Sequence, residues 1–154
     1  MTQKLDLEIG GKVLIPDNVH IVLKDKDGNI KLDFSTHNTV VTAGKNHIAD
    51  RLSTTPTGAA MSHMGIGTNN TAVVAGDTAL NTELDRNALT SCTDSSNVVT
   101  YVADWAAGDG TGAIVEAGIF NAASVGTMLA RTVFSAINKG ASDTLQITWT
   151  LTIG

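Results

Sequence analysis

An all-β protein is the fold this sequence predicts: a β-sandwich or jelly roll of about eight strands, with one short helix and an extended N-terminal arm. Three observations carry that expectation. The final stretch alternates without a break, with Leu145, Ile147, Trp149, Leu151 and Ile153 apolar and Gln146, Thr148, Thr150 and Thr152 between them. A strand sends successive side chains to opposite faces, so this segment has one apolar and one hydroxyl-rich face. The composition is rich in turn formers and poor in charge, with 15 glycines and 16% charged residues. Finally, one segment alone carries a helical pattern.

At the N-terminus Leu5, Leu7 and Ile9 alternate with Lys4, Asp6 and Glu8, and Gly10-Gly11 ends the run. Such a segment reads either as an edge strand or as an arm that adds a strand to a partner. Leu5, Leu7 and Ile9 are therefore the expected partner-binding residues. Residues 1–11 stand apart as arm or edge strand, and residues 12–154 as one sandwich domain.

A hairpin follows. Residues 20–24 and 29–34 flank Asp25-Lys26-Asp27-Gly28, and Asp-Gly between alternating runs is a strong hairpin signal. Asp25, Asp27 and Asn29 also have the spacing of the first ligands of a calcium loop. That loop needs Gly at its sixth position and an acid at its twelfth, where this chain has Ile30 and Thr36. A plain turn is the better reading.

Residues 42–52 form the helix candidate, with Thr42 as cap, Ile48 and Leu52 on one face, and His47 on the surface. Pro56 and Gly58 mark the loop after it. Residues 61–67 read as a short strand, 68–78 as a polar loop, and 80–90 as an extended segment. Val99, Tyr101, Ala103 and Trp105 alternate along a long strand. Gly108 to Gly112 turns the chain into strands at 113–121 and 127–134, and Asn138-Lys139-Gly140 turns it into the last strand.

Composition narrows the function. A net charge of −5 with scattered Lys and Arg argues against a nucleic-acid surface. No apolar run approaches the roughly 18–20 residues of a membrane span, and no apolar leader opens the chain, so a soluble product made in a cytoplasm is expected. Cys92 is the single cysteine; it supports no intrachain disulfide and is expected to be a buried or half-buried thiol.

The catalytic constellations are missing from the sequence. There is no G-x-S-x-G elbow and no H-E-x-x-H, and His20, His37, His47 and His63 lack metal-ligand spacing. Ser62 and His63 are adjacent, which points them to opposite faces if both lie in a strand. Gly65-Ile66-Gly67 and the glycines from Gly108 to Gly112 match neither a dinucleotide fingerprint nor a phosphate loop, and read as turns needing positive φ. The acids Glu83, Asp85, Asp104 and Glu116 are of the type that pairs in glycosidase clefts, but nothing in the sequence puts two of them together. No catalytic residue, cofactor or metal site is expected, and the protein is read as non-enzymatic.

One ordered set of stretches does resemble known proteins. It comprises residues 61–68, residues 77–86, Val99-Thr100-Tyr101, residues 116–121, residues 127–134 and the close from Lys139-Gly140 through residues 145–153. Together these resemble small β-sandwich or jelly-roll structural proteins of tailed bacteriophages, most of all the head decoration (cement) proteins, over residues 40–154. The resemblance implies a virion protein that binds the major capsid protein and its own copies as a homotrimer, stabilising the head. It leaves open an alternative: a tail- or fibre-associated module contacting host sugar or protein through loops 68–78 and 108–112.

Overall fold

The computed structural model describes residues 18–153, so the proposed partner-binding residues Leu5, Leu7 and Ile9 lie outside the described residues. In chain order the elements are β1 (Asn18–Lys24), β2 (Ile30–Thr36), β3 (Thr39–Val40), α1 (Thr42–Arg51), β4 (His63–Gly67), β5 (Glu83–Ala88), β6 (Ser91–Ser95), β7 (Val98–Trp105), β8 (Gly112–Phe120), β9 (Met128–Lys139) and β10 (Thr144–Thr152). They form two antiparallel five-stranded sheets, ordered β2-β1-β10-β7-β6 and β3-β9-β8-β4-β5. The architecture is the expected β-sandwich, with ten strands rather than about eight.

β10 sits at the centre of its sheet, between β1 and β7. Its odd positions Leu145, Ile147, Trp149 and Leu151 are buried, as their alternation requires. Val19, Ile21 and Leu23 on β1 and Tyr101, Ala103 and Trp105 on β7 share that inner face. Met64, Ile66, Ile114, Ile119, Leu129 and Ile137 meet them from the second sheet. Each fully buried aliphatic or aromatic side chain contributes roughly 1.5–3 kcal/mol, so this interface dominates stability. Phe34 of β2 meets Phe134 of β9 edge-on, with ring centroids 5.9 Å apart, and closes one side of the sandwich.

The β1–β2 turn is built as its sequence demands. Asp25 Oδ1 accepts from the backbone N–H groups of Asp27 and Asn29, each at 2.9 Å, and Gly28 takes φ +84°. The Asn29 side chain donates to Asp25 Oδ2, and these bonds hold the Asp25 carboxyl below its ordinary value. The acids at calcium-loop spacing are thus spent on the turn itself.

The helix departs from expectation at both ends. Val41, not Thr42, occupies the cap position, and no side chain caps it. The Thr42 N–H instead donates to Ala75 O at 2.7 Å, so a distant loop supplies the acceptor that a capping hydroxyl would have given. Gly44 rests against the Leu129 backbone so closely that an added Cβ would collide with its carbonyl. His47 lies on this same face and is buried, not on the surface. Leu52 falls at the C-cap and is 83% exposed, so only Ile48 of the expected pair packs on the core.

Two further boundaries moved. β9 runs five residues past the expected end at Phe134, to Lys139. Lys139 is tolerated there because its Nζ donates to Ala106 O at 2.9 Å under the β7–β8 connection; burial lowers its pKa. The turn into β10 comes later than Asn138-Lys139-Gly140, where Asp143 Oδ2 accepts from Gly140 N at 2.8 Å and from Lys31 Nζ at 2.6 Å. β6 (SCTDS) had no signal, since every residue of this edge strand is exposed and none needs to be apolar.

Candidate functional site

The outer face of the second sheet carries a buried charge cluster. β8 places Glu116 and β9 places Arg131 on that face, and both are fully buried. Arg131 Nε donates to Glu116 Oε2 at 2.9 Å, and Nη2 lies 2.8 Å from the same oxygen. Nη1 donates to Asp77 Oδ2 at 3.0 Å and Nη2 to Thr71 O at 3.0 Å. The Asn81 N–H reaches Glu116 Oε2 at 3.1 Å, and the Thr82 N–H reaches Oε1 at 2.9 Å.

Two adjacent strands thus hold a loop by one acid, one carbonyl and two amides. Residues 68–82 are drawn across the sheet, and Leu80 seals a small apolar cluster with Val41, Phe120 and Met128 beneath them. Close approach needs bare backbone. A Cβ on Gly67 would collide with Thr82 O and the Glu116 side chain, and one on Gly118 would press on Ala130 O. Gly65 and Gly67 therefore serve space within β4, not a positive-φ turn as expected; Gly108 and Gly110 do take positive φ.

A second clamp adjoins the first. The Arg86 guanidinium lies 3.5 Å from the Phe120 ring centroid and is held by Glu83 through Nε at 3.0 Å and Nη2 at 2.5 Å. Its Nη1 donates to Ala122 O at 3.1 Å and Val125 O at 2.9 Å, pinning the β8–β9 loop. Val125 sits at that loop's tip with φ +56° and 86% exposure, a strained conformation for a β-branched residue.

On the far side, the outer face of the first sheet bears a shallow groove of about 490 Å³ near the β7–β8 connection, walled by Lys24, Asp33, Asp104, Asp109 and Gln146. Asp104 is already engaged by Thr90 Oγ1 and Gln146 Nε2, and Asp33 lies 2.7 Å from His20 Nε2. The four acids of interest do not converge. Glu116 faces Arg131, Glu83 faces Arg86, Asp104 lies on the other sheet, and Asp85 accepts from its neighbour's N–H.

Ser62 and His63 are brought together after all. Ser62 immediately precedes β4, and its Oγ lies 2.8 Å from His63 Nδ1. No carboxylate orients the ring from its other nitrogen among the described residues. Cys92 is exposed on the edge strand β6, contrary to the expectation of a buried or half-buried thiol. Partial desolvation and Asp94 push its thiol pKa up, which makes it a poor nucleophile. Tyr101, paired opposite it, is pushed up to about 12 by burial. Among the described residues no cluster of three His, Cys, Asp or Glu is placed to hold a metal, and no helix is long and apolar enough to cross a membrane.

Asp77, Arg86 and Arg131 were not singled out from the sequence as site residues. A signal existed: Glu116 in β8 and Arg131 in β9 are opposite charges inside two consecutive apolar strands. A charge inside an apolar strand needs a buried partner. No family model, curated protein or solved structure matches this chain.

Proposed function

We propose that this protein is a non-enzymatic structural subunit of a tailed-bacteriophage virion, a head decoration (cement) protein that binds the major capsid protein as a homotrimer. One observation carries the reading. Three of the stretches that resemble such proteins supply Asp77, Asn81, Thr82, Glu116 and Arg131, and these five side chains and amides join in one buried cluster. The shared pattern thereby has a mechanical purpose, a loop locked onto a rigid β module. A cement protein needs such a module and broad contact surfaces, and gains its energy from area buried on assembly.

A density map of the virion tests this. The expected result is threefold density of this chain's size on the head, and purified protein that binds heads lacking it. Its absence from the particle would sink the proposal. The groove on the first sheet favours a second reading, a tail or fibre module gripping a host sugar or protein; the same map would then place the chain at the tail.

A further inference from the structure

We propose that Asp109-Gly110 is a site of spontaneous covalent modification, where the aspartate of the folded chain rearranges through a cyclic imide to isoaspartate.

An aspartate followed by glycine can react with its own backbone. The glycine nitrogen attacks the aspartate Cγ: a C–N bond forms, a C–O bond breaks, and the carboxyl hydroxyl leaves with the amide hydrogen as water. Water then adds to either carbonyl of the five-membered imide and cleaves one of its C–N bonds. One cleavage restores aspartate. The other routes the main chain through Cβ and Cγ, one methylene longer, and leaves the former main-chain carbonyl as a free carboxylate. Mass and charge are unchanged, and no further reactant is needed. Glycine favours the attack because no Cβ shields its nitrogen.

The dipeptide occurs twice, at Asp27-Gly28 and Asp109-Gly110, each time in a turn with its aspartate exposed. The structure tells the two apart. At the first, both reacting groups are engaged. Gly28 N donates to Asp25 O at 3.0 Å, within the turn that Asp25 Oδ1 fastens through Asp27 N and Asn29 N. Both Asp27 carboxylate oxygens accept from Lys26 Nζ at 2.7 Å. An ion pair this exposed adds little, so the engaged amide is the main lock.

At the second dipeptide the bonds lie to either side of the reacting groups. Asp109 N donates to Ala106 O at 3.1 Å, and Thr111 Oγ1 donates to Gly108 O at 3.3 Å. Among the described residues no hydrogen bond takes up the Gly110 N–H or the Asp109 carboxylate. The neighbouring Lys139 directs its Nζ to Ala106 O instead. Asp109 also borders the open groove on the first sheet, so water can reach the imide.

The product falls in a closely packed loop. Its Ala106 O holds the buried Lys139 Nζ, and a Cβ on Gly110 would come within 2.6 Å of Ile66 Cδ1 and 3.2 Å of Trp105 Cδ1. A main chain lengthened at residue 109 has to move against these contacts.

The test ages the full chain at neutral pH and physiological temperature, folded in one sample and unfolded in urea in another. After digestion, isoaspartate appears as a second chromatographic peak of equal mass, and fragmentation assigns it to a residue. Protection at each site is its rate in urea divided by its rate in the folded chain. Folding should slow Asp27 by about tenfold, the factor one retained hydrogen bond carries at the upper end of its usual strength. Asp109 should stay close to its rate in urea. Asp109→Glu should abolish the second peak there, because glutamate would have to close a six-membered ring. Protection at Asp109 equal to or above that at Asp27 overturns the proposal, as does a folded chain that forms no isoaspartate. A second peak that survives Asp109→Glu overturns it as well.

Discussion

Replacing Glu116 by Gln should be among the most damaging single-atom changes available to this protein. Every neighbour of the carboxylate is a donor: Arg131 Nε and Nη2 and Asn81 N at Oε2, and Thr82 N at Oε1. An amide must turn its NH2 toward one of these sets, whichever way it is flipped. The change also leaves the fully buried Arg131 with Asp77 as its remaining carboxylate. Breaking a buried pair by removing one partner costs about 3–5 kcal/mol. For a chain of this length each kcal/mol shifts Tm by about 2–4 °C, so a fall of roughly 6–20 °C is expected. Thermal and urea melts at fixed pH measure it, and hydrogen exchange should show residues 68–82 opening first. The double variant Glu116→Leu with Arg131→Leu removes both charges and should cost less than Glu116→Gln alone. A single variant within 1 kcal/mol of the parent, or a double variant costing the sum of its parts, would refute the reasoning.

Trp149→Ala should cost about 3–5 kcal/mol, since the side chain is fully buried in the core; a urea midpoint near the parent's would show that the site collapses without penalty. Val125→Gly should stabilise by on the order of 1 kcal/mol, because it relieves a positive φ at a side chain that buries nothing, and a lowered Tm would count against strain there. Acidification should weaken the fold in two stages. Burial lowers the His47 pKa from its ordinary 6.5, so below that value the unfolded chain binds the extra proton and stability falls until the folded-state pKa is passed. The Thr57 N–H bond to Asp50 and the Lys31 bond to Asp143 lower those carboxyls from 3.8, so their contribution is present above that value and lost beneath it. Melts of His47→Gln between pH 7 and 5 should lack the first stage, and an unchanged profile would exclude His47 as its source.

How much was legible depended on whether the information was local. The alternation of β10 and the Asp-Gly turn are written in consecutive residues, and both elements formed where expected. β6 was invisible because an edge strand exposed on both faces needs no apolar period. The cap at Thr42 failed because Ala75, more than thirty residues on, supplies the acceptor. His47 reads as a surface residue until β9 and Gly58 are placed against it. Glu116 and Arg131 show as opposite charges in adjacent apolar strands, but their meeting with Thr71, Asp77, Asn81 and Thr82 leaves no trace in sequence spacing.

That separation bears on the order of folding events. Arg131 meets Glu116 across one hairpin, but Asp77 is 54 residues away from it and Thr71 is 60. The loop can be seated only after β8 and β9 have paired. Contacts absent from the folding transition state leave the folding rate alone and slow unfolding. The cluster then acts as a latch on the exit side of the barrier, lengthening the life of the folded chain. Stopped-flow kinetics on Glu116→Gln should accordingly show faster unfolding at an unchanged refolding rate. The unfolding rate, more than the equilibrium constant, then sets how long the folded chain persists.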